Sequence, residues 1–195
     1  MIVTVSPEEI GAVLARYLAA APHRGLATAP LIAALGMSGD VASRRTFPLH
    51  VTCSAVVVDA VGDVLMIWHR EHGRWRLPGG HIEPEDPTMY GAALRGLEAV
   101  IGVAWYDTIP AVPDDDVPVD VNVHRVPASS VEGEPSHVHA DFRYAFMADR
   151  GGMSVAGNAG TAFSWRPPYE LLSPRFGASA SRGVRFSCRG RSAKA

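Results

Sequence analysis

Apolar residues Ile10, Val13, Leu14, Tyr17 and Leu18 recur at helical spacing directly after Ser6-Pro7-Glu8-Glu9. Serine as the cap, proline at the first helical position and glutamate at the third make a capping-box start, so the pattern predicts a helix that ends before Pro22. A shorter helix is expected around residues 31–35, stopping near Gly36. Two successive helices could form a DNA-reading pair, but no basic recognition face follows them, and packing against the rest of the chain is the reading adopted.

From His50 the periodicity changes. Residues 51–58 are rich in β-branched side chains and stop at the turn Asp59-Ala60-Val61-Gly62-Asp63, so a strand is predicted there, with 64–68 as its hairpin partner. Leu77-Pro78-Gly79-Gly80 breaks the chain, and Asp86-Pro87 opens a helix that should close at Gly102. Segments 117–126 and 137–148 read as further strands, and 111–118 and 127–135 as loops. Mixed strands around one central helix indicate an α+β or α/β sandwich.

Composition narrows the class. A chain of 195 residues with 47% hydrophobic and 19% charged side chains suits one folded domain with appendages and excludes wholesale disorder. The sequence has no apolar run long enough to span a membrane, and residues 1–6 lack the basic start and apolar stretch of a signal peptide, so a cytoplasmic protein with no membrane partner is expected. Cys53 and Cys188 have no spacing that suggests a disulfide framework or a thiolate zinc site, and Cys53 is expected in the core. The net charge of −2 conceals an asymmetry: residues 171–195 hold six of the 18 basic residues and none of the 20 acidic ones, which leaves the first 170 residues at −8. Residues 173–195, rich in Ser, Gly, Ala and Arg, read as a basic disordered tail. A helical segment over 1–46 and a main domain over 47–172 precede it.

Trp75-Arg76-Leu77-Pro78-Gly79-Gly80-His81-Ile82-Glu83-Pro84-Glu85-Asp86, followed by Gly91-Ala92-Ala93-Leu94-Arg95 and Ile101-Gly102-Val103, resembles the Nudix family. The family motif runs G-x5-E-x7-R-E-U-x-E-E-x-G-U, with U a bulky aliphatic residue. Gly80 matches its first glycine, Arg95 the arginine, Leu97 the aliphatic residue, and Gly102 and Val103 the closing pair. His50-Val51-Thr52, Pro118-Val119-Asp120 and the run from His137 to Tyr144 look like a bacterial subfamily, so the resemblance extends over about residues 5 to 170. It implies an α/β/α sandwich with a mixed sheet and an N-terminal helical extension.

The resemblance also implies three helix glutamates that together hold Mg²⁺ or Mn²⁺, since hard cations require several converging oxygen ligands. Those positions here are Gly96, Ala99 and Val100, which offer a metal nothing. Asp86 takes the upstream glutamate slot, with one extra residue before Arg95. Glu98 stands at the motif's variable position, about 100° around the helix from Ala99. Without those ligands, conventional Mg²⁺-dependent diphosphate cleavage should be impaired.

Histidines supply what chemistry remains. His137, His139 and Asp141 alternate along a predicted strand and so share one face. His81 and Glu83 flank the Gly-Gly loop, and His124 follows Asp120 on another strand. Imidazoles beside a carboxylate bind Zn²⁺, Mn²⁺ or Fe²⁺, or exchange protons near neutral pH. The candidate catalytic residues are His81, Glu83, His137 and His139; the candidate substrate-binding residues are Gly79, Gly80, His124, Asp141 and Arg143. His23, His69 and His72 are read as surface residues.

Three functions fit. One is an enzyme whose reworked histidine and carboxylate pocket acts on a small nucleotide-like or diphosphate-like metabolite. A second is a residual hydrolase of nucleoside diphosphate derivatives, with Mg²⁺ or Mn²⁺ held by Glu83, Glu85, Asp86, Glu98 and a carbonyl near Gly80. The third is a silent ligand-binding module. A small-molecule ligand is expected in each, nucleic acid is not, and a homodimer is a common state for proteins of this resemblance.

Overall fold

The computed structural model describes residues 5–37, 39–69, 73–101, 117–130, 133–150 and 162–169, together with the backbone but not the side chains of Val100 and Ile101. Helix α1 (Pro7–Ala20) begins as predicted, with the Ser6 hydroxyl oxygen accepting a hydrogen bond from the Glu9 N–H at 3.2 Å. Ile10, Val13, Leu14 and Tyr17 of the face named from the sequence are buried, and Leu18 is partly buried against the same core. A 3₁₀ turn over Pro22–Arg24 leads into α2 (Gly25–Leu35), which starts six residues earlier than expected and carries Pro30 within it. Proline lacks an N–H and usually ends a helix, which is why the sequence reading began only after it. Leu31 of α2 is fully buried.

Strand β1 (Leu49–Val58) is buried at every position and organises the sheet. One edge pairs in parallel with β6 (His137–Met147) over its whole length, from Leu49 opposite Val138 to Val58 opposite Met147. The other edge pairs antiparallel with the short β4 (Gly79–His81) and, at Val58 opposite Val64, with β2 (Val64–His69). The expected hairpin therefore registers at one residue pair only, because β4 takes the edge of β1 that a longer ladder would need. Strand β2 pairs instead with β3 (Arg74–Arg76) and β7 (Phe163–Arg166), and β5 (Asp120–Val126) flanks β6. Strands β3, β4 and β7 have three or four residues each, too short for alternation to mark them in the sequence.

The result is a mixed seven-stranded sheet with helices packed against it, the α+β sandwich expected. Helix α3 (Met89–Ile101) supplies Met89, Ala93, Leu94 and Leu97 to a core shared with Val51, Cys53, Ala55, Phe142 and Phe146 on the sheet and with Ile10, Tyr17 and Leu31 of the N-terminal helices. Burial of these side chains, each worth roughly 1.5–3 kcal/mol for the larger ones, joins the N-terminal segment to the main body. Cys53 is in the core as expected. The basic tail, the loop over 111–116, the closing Gly102 and Val103 of the motif, His72 and Cys188 lie outside the described residues.

Candidate functional site

Alternation on β1 and β6 gives the sheet one apolar and one polar face. Val51, Cys53 and Ala55 face α3; His50, Thr52 and Ser54 project the other way. Register then builds rows across the strands. His50 lies opposite His139, which lies opposite His124; Thr52 opposite Asp141 and, on its other side, His81; Ser54 opposite Arg143 and Gly79. Nine residues of four strands that are dispersed in sequence thus share one surface.

A cavity of about 220 Å³ opens over these rows, and all five residues expected to bind substrate, Gly79, Gly80, His124, Asp141 and Arg143, line it. His81 and His139 line it too. So does His69, read from the sequence as a plain surface residue: β2 turns it inward beside Arg74. Glu83 is exposed and borders a neighbouring cavity with Ile82 and Pro84, apart from the histidines.

The carboxylates of the wall are already engaged. The Asp141 carboxylate accepts from the Ser54 hydroxyl at 2.8 Å, the Thr52 hydroxyl at 3.1 Å and Arg143 Nε at 3.0 Å. Arg143 also donates to Asp120 at 3.2 Å, and Asp120 pairs in turn with Arg24, whose Nε donates to the Tyr17 hydroxyl at 3.0 Å. Two buried arginines alternate with two buried aspartates, so the charges cancel inside the wall and hold Asp141 and Arg143 in place. Arg24 is thereby committed to the interior of the protein.

The histidines are crowded and dry. His139 is pushed down to about 2, first by burial and then by His50, His81, His124 and His137 around it. His81 is pushed down to about 4 by burial and by the positive Arg44. Burial lowers His50 and His124 as well. At neutral pH these imidazoles are uncharged and keep a ring lone pair for a hydrogen bond or a metal; the same depression makes them weak bases, His139 more so than His81.

His50 marks the resemblance in the sequence but is not among its candidate site residues. It is fully buried at the start of β1, with its ring centroid 4.8 Å from that of His137 and 4.7 Å from that of His139. The signal was present: His50, Thr52 and Ser54 are polar at every second position of an otherwise apolar run. Among the described residues, the one set of three metal-ligating side chains with converging donor atoms is His50, His137 and His139, whose atoms all lie within 4.8 Å of one another.

The α3 positions do not fit a hard cation. Gly96 has no side chain and packs against β4; Ala99 is exposed and carries no ligand atom. Glu83, Glu85 and Glu98 are exposed, and Asp86 is buried with both oxygens in use. Arg95 Nε and an Arg95 terminal nitrogen hold them at 2.8 and 2.9 Å, and the Glu83 N–H donates at 2.8 Å. The same arginine donates to the His81 carbonyl at 2.8 Å, so the Asp86–Arg95 pair fastens the 81–86 loop to α3. The helix packs on the apolar face, whereas the histidines stand on the opposite one.

A family model described as the NUDIX domain matches residues 48–180, beginning one residue after the expected domain boundary and reaching past the expected end at 172. No curated protein matches the chain. Among solved structures, an Ap4A hydrolase of C. elegans is similar at 12% identity and a TM-score of 0.45, covering 64% of this chain and 85% of its own. The dihydroneopterin triphosphate pyrophosphohydrolase of E. coli is similar at 16% identity and a TM-score of 0.44, covering 66% and 90%. NrtR of Shewanella oneidensis is similar at 18% identity and a TM-score of 0.40, covering 63% and 54%.

Proposed function

This chain belongs to the Nudix domain family, and on that premise we propose that it is an enzyme whose working pocket has moved from the helix glutamates to the polar face of the sheet. Its substrate is a small nucleotide-like or diphosphate-like metabolite, taken up in the cytoplasm without nucleic acid or membrane. The observation that carries the reading is the convergence of His81, His124, His139, Asp141 and Arg143 on one cavity, while the helix position of the first family glutamate is a glycine packed on the sheet.

Each group has a role that its surroundings suit. The Gly79-Gly80 backbone lets a ligand approach closely, since Gly80 has open space where a Cβ would stand. His81, with a buried Nε2 that meets no partner, is the group to accept or return a proton at the reacting atom. His124 and His139 orient the ligand, and Arg143, fixed by Asp120 and Asp141, presents donors without adding net charge. His137 supports His139 from behind through a 2.9 Å contact between their Nε2 atoms. The family's Mg²⁺ has no fitting ligand set among the described residues, where Gly96 and Ala99 carry no ligand atom and Asp86 is committed to Arg95.

A panel of nucleotide sugars, dinucleotides and nucleoside triphosphates, assayed with and without Mg²⁺ or Mn²⁺, tests this. Expected are Mg²⁺-dependent turnover below about 1 s⁻¹, the low end of ordinary enzymes, and a substrate whose conversion falls about 10²-fold or more in His81→Ala. Fast Mg²⁺-dependent hydrolysis that survives His81→Ala would favour the residual hydrolase instead. The missing helix ligands also favour a second reading, a silent binding module, for which a panel compound would raise the melting temperature without being converted.

A further inference from the structure

The geometry points to a transition-metal centre in this chain, built by His50 of β1 and His137 and His139 of β6, with Glu134 at its rim. It deepens the reading of the polar face as the working pocket and rests on that reading for its use, although its test reads metal and not turnover.

Three observations carry it. First, tautomers are set by the backbone. His50 Nδ1 lies 3.1 Å from the Thr46 carbonyl and His137 Nδ1 lies 2.7 Å from the Pro135 carbonyl. A carbonyl only accepts, so each Nδ1 carries the hydrogen and each Nε2 is left with a lone pair. Backbone carbonyls that orient the far nitrogen of an imidazole are the usual outer support of a metal-binding histidine. The Thr46 carbonyl is itself held by a turn, in which the Thr46 N–H donates to the Ser43 carbonyl at 3.0 Å and the Thr46 hydroxyl to the Asp40 carbonyl at 2.5 Å.

Second, His50 Nε2 is an orphan. The residue is fully buried, and this nitrogen finds no hydrogen-bond partner. A buried acceptor left unmatched costs about 1–3 kcal/mol, so such groups are rare unless something fills the place. Here it is packed among the rings of His137 and His139.

Third, the donors are already close. His137 Nε2 and His139 Nε2 are 2.9 Å apart and the three donor atoms lie within 4.8 Å of one another, on either side of the roughly 3.3 Å between two nitrogens on one tetrahedral ion with metal–nitrogen bonds of about 2.0–2.1 Å, so small side-chain shifts close the site. Without metal, His139 Nε2–H donates to His137. With metal, that hydrogen leaves Nε2 of His139 for its Nδ1, and both Nε2 lone pairs turn towards the ion. Glu134 Oε2 stands 3.8 Å from His137 Nε2 and its Oε1 binds Arg44, which leaves a carboxylate at the open side of the ion. Phe47 closes another side, its ring edge-on to His50 and His137.

Three neutral imidazoles and one carboxylate select a borderline divalent ion such as zinc or cobalt over magnesium, which prefers oxygen ligands and water. The Glu134 carboxylate takes the fourth position on the side of the cavity that His139 and Glu134 line, where a water or a phosphate oxygen would compete with it.

The test titrates the full chain, freed of any histidine tag and stripped with chelator, with Co²⁺ and Zn²⁺. Expected are one ion per chain, tetrahedral ligand-field bands with cobalt that zinc displaces, and an affinity lowered at least about 100-fold in His50→Ala and in His139→Ala, with His23→Ala unchanged. Should an alanine variant fail to fold by circular dichroism, His50→Gln and His139→Gln are read the same way. Cobalt binding at these histidines supports the centre whatever the activity panel returns. Failure to bind either ion at micromolar concentration, or undiminished binding by the folded His50 and His139 variants, overturns it.

Discussion

Gly96 of α3 lies so close to Gly79 of β4 that a Cβ built on Gly96 would sit 2.7 Å from the Gly79 Cα. The contact is backbone to side chain, so no rotamer change relieves it. Gly79 is confined in turn: its φ is +153°, and its own Cβ would lie 2.3 Å from the Cys53 carbonyl oxygen. At the place where the family motif carries its first helix glutamate, this protein has closed the gap between helix and sheet.

A substitution at Gly96 therefore has a sign opposite to the ordinary one. In a helix interior, Gly→Ala usually stabilises by about 1 kcal/mol. Here Gly96→Ala should destabilise by about 1–3 kcal/mol through overpacking, and Gly96→Glu by at least as much, with no gain in Mg²⁺-dependent hydrolysis. Urea unfolding measures it. A Gly96→Ala variant as stable as the parent would show that α3 and β4 are free to part.

Arg95 binds the Asp86 carboxylate as a fork and reaches the His81 carbonyl with the same guanidinium. Lysine keeps the charge but not the fork. Arg95→Lys should cost about 1–2 kcal/mol, with faster amide exchange concentrated over residues 81–86. Exchange that quickens evenly through the domain would contradict the role of the pair as a local fastening.

Asp120 stands between Arg24 and Arg143, both buried. Asp120→Asn removes the charge that offsets them and leaves Asp141, which pairs with Arg143, as the one carboxylate of the network against two buried arginines. The expected loss is about 3 kcal/mol, the scale of breaking a buried ion pair from one side. A loss under about 1 kcal/mol would mean that solvent reaches this network.

Acid should loosen the metal-free chain before its carboxylates titrate. His139 and His81 are held well below the ordinary imidazole value, at about 2 and about 4. Their unfolded counterparts take up protons near pH 6.5, whereas the folded ones do not. The unfolded state thus binds more protons as pH falls, so stability is full above about 6.5 and declines from there towards the folded values. The groups facing His139 are His50, His81, His124 and His137; those acting on His81 include Arg44 and Glu134. Urea midpoints between about pH 7 and pH 5 should fall in the parent and fall less in His139→Gln. Equal slopes would remove His139 from the account.

Local chemistry made much of this protein legible in one dimension. The cap at Ser6, the run of β1, the alternation of His137, His139 and Asp141, and the motif around Gly80 and Arg95 all depend on neighbours within a few residues, and each was found where the sequence put it. The missing ligands at Gly96 and Ala99 were readable for the same reason. What the sequence could not state is which strands meet. His50 and His139 are 89 residues apart and become neighbours only because β1 and β6 pair in parallel in one register, and a shift of one residue would turn His139 to the apolar face. The Gly96–Gly79 contact, the Arg24–Asp120–Arg143 chain and the place of Glu134 beside His137 depend on that same non-local packing. Residue type and local period determined what each strand offers to its two faces; the pairing of distant strands decided which offers stand together.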